Sequence, residues 1–161
     1  ARHCRFVSKA DIQRWPVVGS LADAAGTLYI ERESRRDALR VVHHMAERLQ
    51  AGDVLAVFPE GTTGDGAHVM PFHANPLQAA ISAQAPVQPV ALRYVDPATG
   101  AHSRAMSYVD DETLVGSLWR TLCAGRVRAE VVFGAPEMAQ GRDRRAWAGD
   151  LRAAISALRA G

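Results

Sequence analysis

The residues best suited to chemistry lie in one segment, Phe58-Pro59-Glu60-Gly61-Thr62-Thr63-Gly64-Asp65-Gly66. It holds three glycines, two hydroxyls and two carboxylates, and it directly follows the apolar run at residues 54–58. Glycine accepts backbone angles and close approaches that other residues resist. Loops at the C-terminal ends of strands are where α/β folds place ligands. The segment could therefore grip and position a ligand. It contains no Lys, His or Cys, so it supplies neither a nucleophile nor a base of the usual kind. It does not fit the familiar glycine motifs. A P-loop needs Lys after its last glycine, and Ala67 stands there; a dinucleotide fingerprint needs another glycine spacing. A nucleophile elbow needs Ser between two glycines. The other reading is an exposed turn. A second segment, Gly26-Thr27-Leu28-Tyr29-Ile30-Glu31-Arg32, ends a strand-like run with an Arg. A guanidinium at a strand end can hold a phosphate through paired hydrogen bonds. Alternatively, Arg32 is a surface residue paired with Glu31 or Glu33.

The elements that must carry these segments alternate along the chain. Strands are expected at residues 4–8, 27–31, 54–58, 87–94 (interrupted by Pro89) and 127–133, with a short one at Tyr108-Val109. The 127–133 strand alternates outward and inward residues. A short helix is expected at 11–15, stopped by Pro16. A longer one opens at Ser34 and Asp37, presents Leu39, Val42, Ala46 and Leu49 on one face, and ends at Gly52. Asn75-Pro76 reads as N-cap and first helical residue of a helix with Leu77, Ala80 and Ile81 as its apolar stripe. Residues 112–123 carry Leu114, Leu118, Trp119 and Leu122, and Asp143 caps a last helix bearing Trp147, Leu151, Ile155 and Leu158. This alternation predicts an α/β fold with a mixed, mainly parallel sheet flanked by helices.

Composition bounds the rest. A chain of 161 residues suits one domain with a sizeable core. A net charge of +2 gives no reason to expect nucleic acid as a partner. Cys4 and Cys123 read as free thiols, without zinc spacing. His68 and His73, and the pair His43-His44, read as surface histidines, so no metal is expected. Trp119 and Trp147 read as core or rim residues rather than a lipid-facing belt, and residues 142–145 as a solvated helix start. No run approaches the roughly 20 apolar residues that span a bilayer, and no signal peptide is visible. The chain begins at Ala1 without Met, which we read as a fragment whose upstream part is missing.

Taken together, the segments resemble the lysophosphatidic acid and related glycerolipid acyltransferases. That family carries a Gly-x-x-x-x-x-Arg block, here residues 26–32, then Phe-Pro-Glu-Gly-Thr at the end of the next strand, here residues 58–62. A later Val-Pro-x-x-Pro-like block matches Ala85-Pro86-Val87-Gln88-Pro89-Val90. Phe6-Val7-Ser8-Lys9 and Trp15-Pro16-Val17-Val18-Gly19 are similar to the stretch joining the family's first and second motifs. The resemblance runs to about Tyr94. It implies a glycerolipid acyltransferase-like fold and a single acyltransferase domain over residues 1–161. It also implies acceptor binding by Arg32, Glu60, Gly61, Thr62, Lys9 and Gly26, with Glu60 on an acceptor hydroxyl or fixing Arg32 and the loop.

Two departures qualify that likeness. The family's first motif is a His followed five positions later by an Asp, the general base and its orienting partner. The six histidines here are followed at that distance by Ser8, Arg48, Leu49, His73, Gln78 and Ser107. No catalytic pair is therefore present in this chain, and it is expected upstream of Ala1; the fragment alone is expected to be inactive. Thr63 also replaces an Arg that in many members helps hold the acceptor phosphate. The resemblance implies acyl transfer from acyl-CoA or acyl carrier protein to 1-acylglycerol 3-phosphate, giving phosphatidic acid. No cofactor is implied. The partners would be a lysophospholipid and the membrane surface, at the cytoplasmic face of a bacterial inner membrane. Transfer to another lysolipid, such as a lyso-aminolipid, and a non-catalytic lipid-binding relative remain as alternatives.

Overall fold

The computed structural model describes residues 4–10, 13, 15, 18–30, 35–108 and 112–160. They fall into two compact units. The first lies within Ala1–Pro59, His73–Val87 and Met138–Ala148, the second within Glu60–Phe72, Gln88–Glu137 and Gly149–Gly161.

In the first unit, β1 (Cys4–Lys9) is the middle strand of a parallel sheet, with β2 (Leu28–Ile30) and β3 (Val54–Ala56) on either side. Val7 lies opposite Leu28, and Cys4 opposite Val54. Parallel neighbours need crossover connections. These are α1 (Val18–Ala24) between β1 and β2, and α2 (Arg35–Gln50) between β2 and β3. The α/β class with a parallel sheet flanked by helices is as the alternation predicts. Val7, Met45, Ala46 and Ala79 form the buried cluster, with Val41, Val42, Leu49 and Leu55 among the residues packed against it. Full burial of a side chain such as Met45 contributes about 1.5–3 kcal/mol. Ala79 belongs to α3 (Asn75–Ser82), which packs on α2.

Several expectations need correction. The apolar stripe of α2 centres on Met45, and Leu39 falls at its rim, where it is exposed. Helix α3 is capped at Ala74 without a side-chain bond, so Asn75 and Pro76 are its first two residues. Helix α1 has no counterpart in the expected elements. Its Leu21 is exposed, and Gly19 is there for contact: a Cβ would lie 2.2 Å from the Gln13 carbonyl oxygen. The helix expected at 11–15 and the cap at Ser34 lie largely or wholly outside the described residues. Tyr108 is not in a strand, and Val109 is outside the described residues.

An ion cluster ties the sheet to α2. The Asp53 carboxylate accepts from Arg5 Nε of β1 (2.8 Å) and Arg48 Nε of α2 (2.7 Å). Arg5 also donates to the Gly26 carbonyl at 3.2 Å. The Arg48 hydrogen bond, more than Arg5, holds the Asp53 carboxyl below its ordinary 3.8, against an opposing push from burial. A carboxyl lowered in the folded state stabilises the fold above its unfolded value, and that contribution is lost as pH falls through the folded value. Asp53→Asn is therefore expected to lower stability at neutral pH and to flatten the loss of stability below pH 3.8, read from denaturant midpoints across pH. An unchanged acid profile would contradict this.

In the second unit, β4 (Val90–Val95) and β5 (Arg128–Phe133) pair antiparallel, Val90 opposite Phe133 and Val95 opposite Arg128. Ala91 and Val95 are buried, while the other face, with Val90, Leu92, Val131 and Phe133, is exposed. The expected inward and outward alternation of β5 is not realised: of its residues only Glu130 is partly buried, where Arg93 Nε donates to it at 2.6 Å. Thr113 caps α4 (Leu114–Cys123) by accepting from the Gly116 N–H at 3.1 Å. Asp143, which belongs to the first unit, caps α5 (Arg144–Ala160), as expected, by accepting from the Arg145 and Ala146 N–H groups at 2.7 and 3.1 Å.

Candidate functional site

The glycine segment begins just past the C-terminal end of β3. Phe58 stacks on Phe6 of β1, with ring centroids 6.4 Å apart and planes 8° from parallel, and both rings are substantially exposed. The Pro59 carbonyl accepts from the His73 N–H at 2.8 Å, which closes the base of the excursion that residues 60–72 make.

Within the excursion the described supports are hydrogen bonds to backbone, together with one ion pair between Arg104 Nη2 and Asp65 Oδ2 at 3.7 Å. Glu60 Oε2 accepts from the Met70 N–H at 2.9 Å. Gly61 (φ 67°) and Gly66 (φ 73°) turn the chain through the left-handed region that glycine enters freely. Asp65 Oδ1 accepts from the Ala67 N–H at 2.9 Å, and this bond first, then the Arg104, His68 and His102 charges, holds its carboxyl below the ordinary range. The Asp65 carbonyl accepts from Ser107 Oγ (2.8 Å) and His102 Nε2 (2.9 Å). A carbonyl only accepts, so His102 Nε2 is the donor in this bond. From α5, Arg152 donates through Nε (3.1 Å) and Nη2 (2.9 Å) to the Val69 carbonyl, and Arg159 donates to the Gly66 carbonyl. Thr62 and Thr63 are exposed. The result is a pinned loop with free hydroxyls at its tip, suited to hold a polar ligand still.

The family model for Acyltransferase matches residues 1–93. The chain belongs to the acyltransferase family. Its similarity to members extends past the matched region. It is 37% identical over 154 residues to the 1-acyl-sn-glycerol-3-phosphate acyltransferase of Neisseria gonorrhoeae, covering 95% of this chain and 60% of that protein. It is also 37% identical over 139 residues to the lyso-ornithine lipid O-acyltransferase of Pseudomonas aeruginosa, covering 86% of this chain and 53% of that protein. The chain thus spans a little over half the length of these curated relatives. The crystal structure of the 1-acyl-sn-glycerophosphate (LPA) acyltransferase from Thermotoga maritima shares the fold, with a TM-score of 0.60 at 16% identity, over 99% of this chain and 58% of that one.

The acyltransferase segments are distributed as follows. Glu60, Gly61 and Thr62 sit together on the excursion. Lys9 closes β1 opposite Ile30, which brings the C-terminal ends of β1 and β2 side by side. Arg32 lies two residues past Ile30, outside the described residues. Gly26 (φ 66°) turns the chain ahead of β2, where a Cβ would lie 2.8 Å from Arg5 Nη1. Sequence reasoning missed Ser107, His102, Arg152 and Arg159 as supports of the loop. For the two arginines a faint signal existed: they are seven apart in a helical stretch and so share a face. Arg142 is engaged locally, donating to the Met138 and Ala139 carbonyls and lying 5.6 Å over the Trp147 ring. Among the described residues, no group of three or more His, Cys, Asp or Glu side chains could hold a metal ion, and no helix is long and apolar enough to cross a membrane.

Proposed function

We propose that the chain is the acceptor-binding portion of an enzyme that acylates 1-acylglycerol 3-phosphate to phosphatidic acid, with acyl-CoA or acyl carrier protein as donor. The observation that carries this reading is the Phe-Pro-Glu-Gly-Thr segment that follows β3, its Glu60 held by the Met70 N–H, in a chain of this family. In the step, the acceptor hydroxyl oxygen attacks the thioester carbonyl carbon, a C–O ester bond forms, the C–S bond breaks and the thiol leaves. A His–Asp pair takes the hydroxyl proton by general-base catalysis, without a covalent enzyme intermediate. That pair is expected outside these 161 residues. By the family likeness, Arg32 and Lys9 would be the cationic partners of the acceptor phosphate, and the enzyme would work at the cytoplasmic face of the inner membrane.

A second reading has its own support. Thr63 stands where many members carry a phosphate-holding Arg, and the identity to the lyso-ornithine lipid enzyme equals that to the lysophosphatidate enzyme. The acceptor would then be a lyso-aminolipid. Offering the full-length protein both lysolipids in competition, with labelled acyl-CoA and acyl carrier protein, separates the two. Labelled phosphatidic acid as the main product is the expected result. Labelled ornithine lipid as the main product would transfer the assignment to the second reading.

A further inference from the structure

The peptide that links Val69 to Met70 is held at both ends. Its N–H donates to Glu60 Oε2 at 2.9 Å. Its carbonyl accepts from Arg152 Nε at 3.1 Å and from Arg152 Nη2 at 2.9 Å. A peptide unit is planar and rigid, so whatever fixes its oxygen also fixes the direction of its N–H. Linked hydrogen bonds polarise one another, and a cation at the oxygen makes the N–H a better donor. Both ends meet an ionised partner, which gives the shorter and stronger kind of hydrogen bond. A guanidinium and a carboxylate therefore act on each other through one peptide plane. Glu60 is the carboxylate of the Phe-Pro-Glu-Gly-Thr segment, whereas Arg152 lies far beyond the residues 1–93 that the family model matches.

The helix that carries Arg152 is itself anchored. The last carbonyls of an α-helix have no partner within it. One of them in α5, that of Arg159, accepts from Arg93 Nη1 of β4 at 3.0 Å. Arg93 Nε is in turn committed to Glu130 of β5 at 2.6 Å. About two helical turns separate Arg152 from Arg159, and the Arg159 side chain donates to the Gly66 carbonyl. One face of α5 thus grips the returning arm of the loop at two carbonyls, Gly66 and Val69, while its end is tied to the β4–β5 pair. Every residue in this series of bonds belongs to the second unit.

We infer that Arg152 is a positioning residue for the reaction: through the Val69–Met70 peptide it sets the orientation of the Glu60 carboxylate, with Arg159 as a second hold on the same arm. The inference deepens the acyltransferase reading and rests on it for what Glu60 is positioned to do. It serves either role of Glu60, on an acceptor hydroxyl or in fixing Arg32 and the loop, because both require one orientation of the carboxylate.

The test uses full-length protein and two readouts. Hydrogen exchange, resolved to the Met70 amide by fragmentation mass spectrometry, reports the hold on the loop. Steady-state kinetics with lysophosphatidate and labelled acyl-CoA reports its consequence. Arg152→Met should speed exchange at the Met70 amide about tenfold or more and leave exchange in β4 and β5 unchanged. Turnover should fall about tenfold, less than the roughly 100-fold that a full 1 Å misplacement costs, with the KM for acyl-CoA unchanged. Arg152→Lys keeps a cation that can reach the Val69 carbonyl and should recover part of both losses. In Glu60→Ala the amide has already lost its acceptor, so adding Arg152→Met should speed Met70 exchange little further. Unchanged Met70 exchange in Arg152→Met would overturn the inference. So would faster exchange with wild-type turnover. Exchange raised throughout α5, β4 and β5 would mean an arginine that only supports the fold, and would overturn it as well. A wild type that acylates no lysolipid, while Met70 exchange still responds to Arg152, would sink the functional reading and leave the hold on Glu60 in place.

Discussion

Glu60→Ala, made in a protein that includes the His–Asp pair, is expected to lower acyl transfer by roughly 100-fold or more while leaving the protein folded. Glu60 Oε2 is the acceptor for the Met70 N–H, a bond that draws the two arms of the excursion together across ten residues. Alanine leaves that N–H without a partner and lets residues 60–70 drift. A misplacement of about 1 Å at a reacting centre costs on the order of 100-fold in rate. Glu60→Gln separates two roles for the carboxylate. Its amide oxygen can still accept from Met70, so recovered activity assigns Glu60 to fixing the loop. Persistent inactivity shows that the negative charge itself is needed, on the acceptor hydroxyl or on Arg32. Near-normal turnover of the alanine variant would remove Glu60 from the account altogether.

Trp147→Ala should produce the largest loss of stability. The indole is completely buried on α5, the largest fully buried side chain among the described residues. Replacing a buried Trp by Ala costs about 3–5 kcal/mol, partly through the cavity it leaves. Against a total of about 5–15 kcal/mol, that leaves a marginal fold. Arg142, 5.6 Å above the ring, would lose its cation–π contact as well, about 0.5–1 kcal/mol at a partly exposed site. Urea unfolding checks the prediction. A change of less than 1 kcal/mol would show that the site collapses without a cavity, contrary to the packing described. Trp147→Phe should be markedly milder because it keeps an aromatic side chain in most of the volume.

Local signals in the sequence transferred well to the structure. The Asp143 cap is legible because its partners, Arg145 and Ala146, are two and three residues away. The glycine loop is legible as a tightly turned loop because left-handed turns demand glycine at Gly61 and Gly66. Contacts between distant residues were not legible. The Arg152–Val69 and Arg159–Gly66 bonds join residues 83 and 93 apart, and their acceptors are carbonyls, which every residue has. In the Arg5–Asp53–Arg48 cluster the Arg5 bond joins residues 48 apart and is hidden by that distance. Helix α1 escaped notice because seven residues are too few for its apolar spacing to register as a period. Helix α4 misled in the opposite way: its stripe is real, but periodicity reports that a face is apolar, not that protein covers it.

The central claim is that the pinned loop serves acyl transfer to a membrane lysolipid. Its most direct test is mass-spectrometric identification of the product formed by purified full-length protein from a defined acyl-CoA and 1-acylglycerol 3-phosphate, run beside Glu60→Ala. The account predicts phosphatidic acid carrying the donor's chain, and little or none from the variant. Absence of any acylated product from wild type, with acyl carrier protein and lyso-ornithine lipid also tried, would contradict it.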